Sequence, residues 1–508
     1  MGALLKSVVF LGVIIAITVY AIVRIVLTVA LAPEYSLTDR LFSFGLLLAE
    51  LFILLHATGY AVALLRATRA NDIGEIPVPP LPYPPPGVAI LVAARHEPRE
   101  VLEETFRNLT NIRYPSKTIY FLDDSSDEKY LREAEEICLK FNLKLFRRQE
   151  RHGAKAGIVN DCLKGLTDKY VAVFDADQNA LPGFLDPLIP ILEANPKLAF
   201  IQTPQFYSNI DSSHVARGAT FQQAVFYEYI CEAKGTNESM FCCGTNVVFR
   251  REALLSVGGM DESVVTEDFA TSVKLHMAGW KSLYYNHVGT FGMGPETLAA
   301  YFKQQSRWAR GTVGVMRKVL SSLARHPLSL RLSQWWEYML SSTYYFVGIA
   351  FVLLMICPVA YLFFDVPSFL IHTDIYISVF VPYFSLSLGV FFVTLRARRY
   401  RARDLFTGQM LTYVAFPVLA VATAMGLLGA QGTFGITDKG RGRAMPWTSL
   451  WPQFLFMFLN FAALVWGINR YWYERDASIL INCVWALYHF AIMCSVFYFN
   501  EELSEEAR

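Results

Sequence analysis

The chain has 508 residues, is 54% hydrophobic and 18% charged, and carries a net charge of +1. That balance excludes a nucleic-acid binder and an acidic tail protein, and fits a membrane protein carrying a soluble insert. Its eight cysteines are scattered without a CxxC, and the adjacent pair Cys242–Cys243 is poorly placed for a relaxed disulfide, so a reduced, cytosolic main domain without zinc is expected.

Val8 to Ala32 is apolar except for Arg24. Ala30-Leu31-Ala32 has the small residues of a signal-peptidase site, but the run is long and Pro33 would follow the cut, so a retained span is favoured. Phe42 to Leu65 is a second span, interrupted by Glu50 and His56, which inside a bilayer should face protein or a cavity. Arg66 and Arg69 place the end of this span in the cytosol. The Pro-rich run up to Pro86 (PVPPLPYPPP) is a stiff spacer within a linker over 67–86.

From Gly87 strands and helices alternate. Val88–Val92, Lys117–Leu122, Tyr170–Phe174 and Leu198–Gln202 read as buried strands, and Glu128–Phe141 and Gly157–Leu166 as helices. This predicts an α/β domain over 87–295, with its chemistry at the carboxyl ends of the strands. Over 296–340 come amphipathic pieces with Arg and Trp, expected to lie in the membrane interface.

Tyr344–Phe364 and Ile375–Leu395 read as a third and fourth span, followed by the strongly basic RARRYRAR of Arg396–Arg403. Gln409 to Ala430 is long enough to cross but is flanked by basic residues on both sides, so a segment that dips or lies flat is favoured. Trp451–Ile468 and Ile479–Phe499 complete about six spans in a multi-pass protein, with both termini and the α/β domain cytosolic. Residues 501–508 form an acidic tail.

Four motifs carry the chemistry. Asp123-Asp124 ends the second strand, where a carboxylate can accept from a base or a ribose, or simply close an Asx-turn with Ser125 to Asp127. Asp175-Ala176-Asp177 ends the third strand, and two carboxylates at i and i+2 can share one hard divalent cation, Mg²⁺ or Mn²⁺. Thr266-Glu267-Asp268 opens a helix whose dipole favours an ionised Asp268, as a general base requires, although helix capping is the ordinary role of such acids. In FKQQSRWARG, Gln304, Arg307 and Trp308 stand at i, i+3 and i+4, so an amide, a cation and an indole share one helix face. That trio suits an anion beside a sugar ring, or an interfacial helix.

DD, DAD, TED and QxxRW in this order, framed by spans, resemble the processive family-2 glycosyltransferases, most closely bacterial cellulose synthase catalytic subunits. LVAARHE (Leu91–Glu97), AKAGIVN (Ala154–Asn160), QTPQFYS (Gln202–Ser208), FCCGT (Phe241–Thr245) and FGITDKG (Phe434–Gly440) extend the likeness from about Arg66 to the end of the chain. The resemblance implies an α/β GT-A type domain inserted in a transmembrane helix bundle. It implies that Arg95, Glu97, Asp123 and Asp124 contact the uridine of a UDP-sugar, that Lys155, Asp175 and Arg307 meet its diphosphate, and that Asp175 and Asp177 hold Mg²⁺ or Mn²⁺. Asp268, beside Glu267, would be the base; Cys243, Gly244, Gln304 and Trp308 would bind the acceptor; and Phe434, Thr437 and Lys439 would belong to a gating loop.

The activity implied is an inverting, UDP-forming hexosyltransferase that polymerises UDP-glucose into a β-1,4-glucan and exports it across the plasma (inner) membrane. A lipid-decorating transferase or a synthase of another β-linked polymer stands as the alternative. Partners would be the UDP-sugar, the growing polysaccharide, membrane lipid and accessory export subunits, with no nucleic acid. Departures from the pattern are Gln178 after DAD, where cellulose synthases often carry His, and the lack of a cyclic-di-GMP-binding domain after the last span. Only two spans precede the enzyme domain, as in hyaluronan-type synthases, but those carry a GDD rather than TED.

Overall fold

The computed structural model describes residues 3–73, 76–369, 373–397, 400–429 and 443–502. The described residues include nine strands: β1 (Val88–Ala94), β2 (Lys117–Asp123), β3 (Lys144–Phe146), β4 (Tyr170–Asp175), β5 (Asn179–Ala180), β6 (Leu198–Gln202), β7 (Val247–Arg250), β8 (Lys281–Tyr284) and β9 (Thr290–Phe291). Seven of them form one sheet in the order β3-β2-β1-β4-β7-β6-β8, and β5 pairs with β9 apart from it. β7 runs antiparallel to both its neighbours, and the other pairs in the large sheet are parallel.

The sequence VAILVAA forms β1, an interior strand with both faces covered, so it needs no polar alternation. Val88, Ile90 and Val92 join one core with Phe106, Phe121 and Phe174, while Ala89 and Leu91 join the other with Ile158, Phe200 and Phe249. This is the period of two that a strand imposes. The chain leaves β1 toward β2 and β3 on one side and reaches β4 on the other. The crevice at the carboxyl ends of β1 and β4 is therefore a topological switch point, where an open α/β sheet binds its ligands.

Helix Glu128–Phe141 has the predicted bounds, with Asp127 capping Lys129 N–H and Asn142 closing it in the left-handed region. Helix Ala154–Gly165 begins three residues before the predicted Gly157, because Gly153 (φ 58°) and Ala154 (φ 46°) make a left-handed entry that pattern reading does not signal. The motif helices are Glu267–Met277 and the 28-residue Leu298–Arg325, the latter capped by Thr297 on Ala300 N–H.

Among the described residues, six helices are long and apolar enough to cross a membrane: Val8–Leu31, Leu37–Ala67, Leu332–Phe364, Thr373–Phe391, Trp447–Glu474 and Ala477–Phe499. The second belongs to a helix reaching Ile73, so the first part of the expected linker is helical. Leu332–Thr343 runs on through Tyr344–Phe346 into Val347–Phe364, so the amphipathic region passes into a spanning one without a break near residue 340. The ambiguous stretch is two helices, Ala402–Val414 and Phe416–Leu428, bent by 56° ahead of Pro417. Glu50 and His56 each find protein. Glu50 takes Arg24 Nε at 2.8 Å and the Tyr20 hydroxyl at 2.6 Å, and His56 bonds the carbonyls of Phe52 and Leu340.

Candidate active site

One cavity of about 430 Å³ opens at the switch point. Arg95 and Glu97 line it from the end of β1, Asp124 from just beyond β2, and Asp175 and Asp177 from the end of β4. Lys155 enters from the first turn of its helix, Cys243 and Gly244 from the approach to β7, and Glu267 and Asp268 from the start of theirs. Gln304, Arg307 and Trp308 close it from one face of Leu298–Arg325, the side chains that helical spacing groups together. Residues far apart in sequence thus meet because strand ends and helix starts converge there.

The polar contacts define two regions. On the β1–β2 side, Asp124 is gripped by Arg148 through two bonds of 2.9 Å and by Arg151 Nε at 3.0 Å. Asp123 lies behind the cavity wall. It is buried, with Arg147 Nε donating to Oδ2 at 2.8 Å and Ser125 N–H to Oδ1 at 3.0 Å. Ser125 N–H thus closes an Asx-turn on Asp123, while Asp124 is the member of the pair that lines the cavity. Arg95 Nε is buried without a hydrogen-bond partner among the described residues, a donor held at the cavity wall.

On the β4 side, Lys155 Nζ donates to Asp175 and, at 2.8 Å, to the Gly244 carbonyl. Burial opposes its charge, but Asp175 and Glu267 more than offset that and raise its pKa. Gly244 has φ 83°, and a Cβ there would stand 3.0 Å from Asp268 Oδ2, so only glycine permits this approach. Asp268 Oδ1 accepts from Phe269 N–H at 2.7 Å. Burial raises the pKa of both Glu267 and Asp268, working against the helix terminus that favours an ionised Asp268. Asp175 and Asp177 offer two hard oxygen donors, and no third carboxylate, His or Cys completes a cation cage among the described residues. This donor pair suits a hard divalent ion, which Asp175 and Asp177 would hold.

The cavity is also lined by groups to which sequence reading gave no role: Arg151, Gln178, Gln205, Tyr207, Met293 and Glu296. Tyr207 OH receives Gln223 Nε2 at 2.7 Å and Gln304 Nε2 at 3.5 Å, and Gln205 accepts from Tyr227 OH at 3.2 Å. Tyr227 lies in a π-helical turn, Phe226–Cys231, an irregularity that often marks functional sites. QTPQFYS was the available signal for Gln205 and Tyr207. Phe434, Thr437 and Lys439 lie outside the described residues.

Residues 84–311 match the family model for glycosyltransferase like family 2, and residues 255–401 match that for cellulose synthase. The chain is 26% identical over 473 residues to the cellulose synthase catalytic subunit (UDP-forming) of Pseudomonas fluorescens, covering 89% of this chain and 61% of that one. It is 24% identical over 488 residues to the cellulose synthase 1 catalytic subunit (UDP-forming) of Komagataeibacter xylinus, covering 92% and 63%. The chain therefore spans about three-fifths of the length of these relatives. A mannosyltransferase from Pyrobaculum calidifontis, solved with GDP-mannose and Mn²⁺, is similar at a TM-score of 0.48 and 19% identity, over 74% of this chain and 99% of that one. With a family-2 match over its α/β domain and a cellulose synthase match reaching into its membrane helices, the chain is similar to the family-2 glycosyltransferases of the cellulose synthase type.

Proposed function

We propose that the chain is a membrane-embedded, inverting, processive glycosyltransferase that takes glucose from UDP-glucose into a β-1,4-glucan and exports the product. The observation that carries the reading is the single cavity in which Asp124, Lys155, Asp175, Asp177, Asp268, Arg307 and Trp308 meet. Arg95, Glu97 and Asp124 hold the nucleoside. Lys155 and Arg307 face the diphosphate and stabilise the charge that builds as it leaves. Asp268 takes the proton from the acceptor hydroxyl, and Gln304, Trp308, Cys243 and Gly244 position the acceptor sugar. A single base without a second nucleophilic carboxylate is the requirement of one in-line displacement with inversion.

Asp175 and Asp177 would hold Mg²⁺ or Mn²⁺, which when bound neutralises the leaving diphosphate. Chelation by EDTA is expected to abolish turnover and Mg²⁺ or Mn²⁺ to restore it. Unchanged turnover in EDTA would remove the metal from the account.

The experiment that tests the reading is linkage analysis of the product made by the purified chain from UDP-glucose. A long β-1,4-linked glucan is expected. A single sugar on a lipid would favour the lipid-decorating alternative, and a polymer made only from another UDP-sugar would change the substrate.

A further inference from the structure

Just outside the cavity, His152 stands between two carboxylates. Its Nδ1 lies 2.6 Å from Glu262 Oε2 and its Nε2 2.9 Å from Asp161 Oδ2. A neutral imidazole has one N–H and an ionised carboxylate only accepts, so both bonds exist together only on the imidazolium. The hydrogen bond to Glu262, with the negative charge of both carboxylates, raises the pKa of the ring, and Asp161 and Glu262 are themselves held below the ordinary carboxylate range despite partial burial.

The three residues belong to different parts of the site. Glu262 sits in the loop that delivers Glu267 and Asp268, and it also accepts from Asn160 Nδ2 at 2.7 Å. Asp161 is on the helix whose first turn carries Lys155. His152 lies in the segment whose Arg148 and Arg151 hold Asp124, and Arg148 also donates to the His152 carbonyl. The segment fits closely. Gly153 has φ 58°, a Cβ there would fall 2.4 Å from Glu262 Oε2, and Ala154 follows with φ 46°. Such backbone persists where its surroundings over-determine it.

We propose that His152 is a positioning residue: as an imidazolium it ties the donor-side segment 148–155 to the loop carrying Glu267 and Asp268, keeping Lys155 and Asp268 in register across the cavity. The inference rests on the function proposed above. Of the other charges nearby, Lys164 donates to the second oxygen of Asp161, Oδ1, at 2.9 Å, leaving Oδ2 to His152, and Lys274 and Lys318 face Asp261. As pH rises through the raised pKa the ring loses its second proton, one bond must break, and the tie loosens.

Hydrogen exchange on the full chain in detergent, at about pH 6.5 and about pH 9, tests this with wild type, His152→Gln and His152→Lys. His152→Gln is expected to speed exchange in both 148–156 and 258–268 at the lower pH. Wild type should approach that pattern at the higher pH once intrinsic rates are corrected, and His152→Lys, charged throughout, should show no such pH step. Faster exchange confined to 148–156 would overturn the tie. In the same samples kcat with UDP-glucose should fall about tenfold in His152→Gln with little change in KM, the mark of lost positioning. An unchanged kcat in His152→Gln beside an active wild type would overturn the positioning role. A wild type inactive on every UDP-sugar would count against the proposed function alone, because the exchange comparison still decides the tie.

Discussion

Asp268, the proposed base, lies in the first turn of its helix with Oδ1 accepting from Phe269 N–H. Its place at a helix start was readable in the sequence. Its pKa was not, because burial beside Glu267 and close to the Gly244 backbone depends on how three loops fold together. Asp268→Asn keeps the shape and the Phe269 N–H contact but cannot take a proton. Turnover should fall by at least about 10²-fold, the scale of general-base catalysis, while UDP affinity measured by titration calorimetry stays near wild type. Trp308 offers a second test. If its indole positions the acceptor, Trp308→Ala should cut polymer formation more than hydrolysis of the sugar donor. Equal losses in the two assays would make it a structural, interfacial residue. Asp123 and Asp124 were indistinguishable in sequence. Arg147, twenty-four positions on, draws one behind the wall, while Arg148 and Arg151 hold the other at the cavity.

Among the elements, the long ones were legible and the short ones were not. Val88–Ala94 and Glu128–Phe141 carry continuous apolar or amphipathic patterns, whereas Val247–Arg250 has four residues and Asn179–Ala180 two. Strands that short are stabilised by their neighbours in the sheet rather than by their own pattern. The relation between the TED helix and the QxxRW helix was also invisible in the sequence. Buried Asp261 joins them, receiving Lys274 from the first at 3.0 Å and Lys318 from the second at 3.0 Å. Burial opposes its ionisation, but Ser263 and the two lysines outweigh this and hold its pKa well below the usual range. A depressed folded-state pKa contributes stability above the unfolded value, and that stability is lost as pH falls toward the folded one. Asp261→Asn should therefore lower stability at neutral pH by about 2 kcal/mol, the scale of hydrogen bonds to a charged group. The gap between the two thermal midpoints should narrow below about pH 4, where the unfolded carboxyl protonates. A gap constant from neutral to acid pH would mean that packing, not charge, holds the helices together.

For the whole molecule, hydropathy made the spans legible, because twenty apolar residues have few other uses. Their ends were harder to read, since Leu332–Phe364 continues an amphipathic helix into an apolar one with no polar boundary. The junction between the α/β domain and the membrane helices is tied by buried Lys234, whose Nζ lies 2.8 Å from Glu337 Oε2, while Arg66 meets the same carboxylate at 2.7 Å. Groups from three distant segments thus fix the α/β domain on the helix bundle, as the proposed export of product would require. The most direct test is vectorial synthesis. Purified chain is reconstituted in vesicles with its α/β domain outward and supplied externally with radiolabelled UDP-glucose. The account predicts labelled glucan that added β-1,4-glucanase digests only after the vesicles are opened with detergent. Product fully digestible on intact vesicles, or label confined to a lipid-linked single sugar, would contradict it.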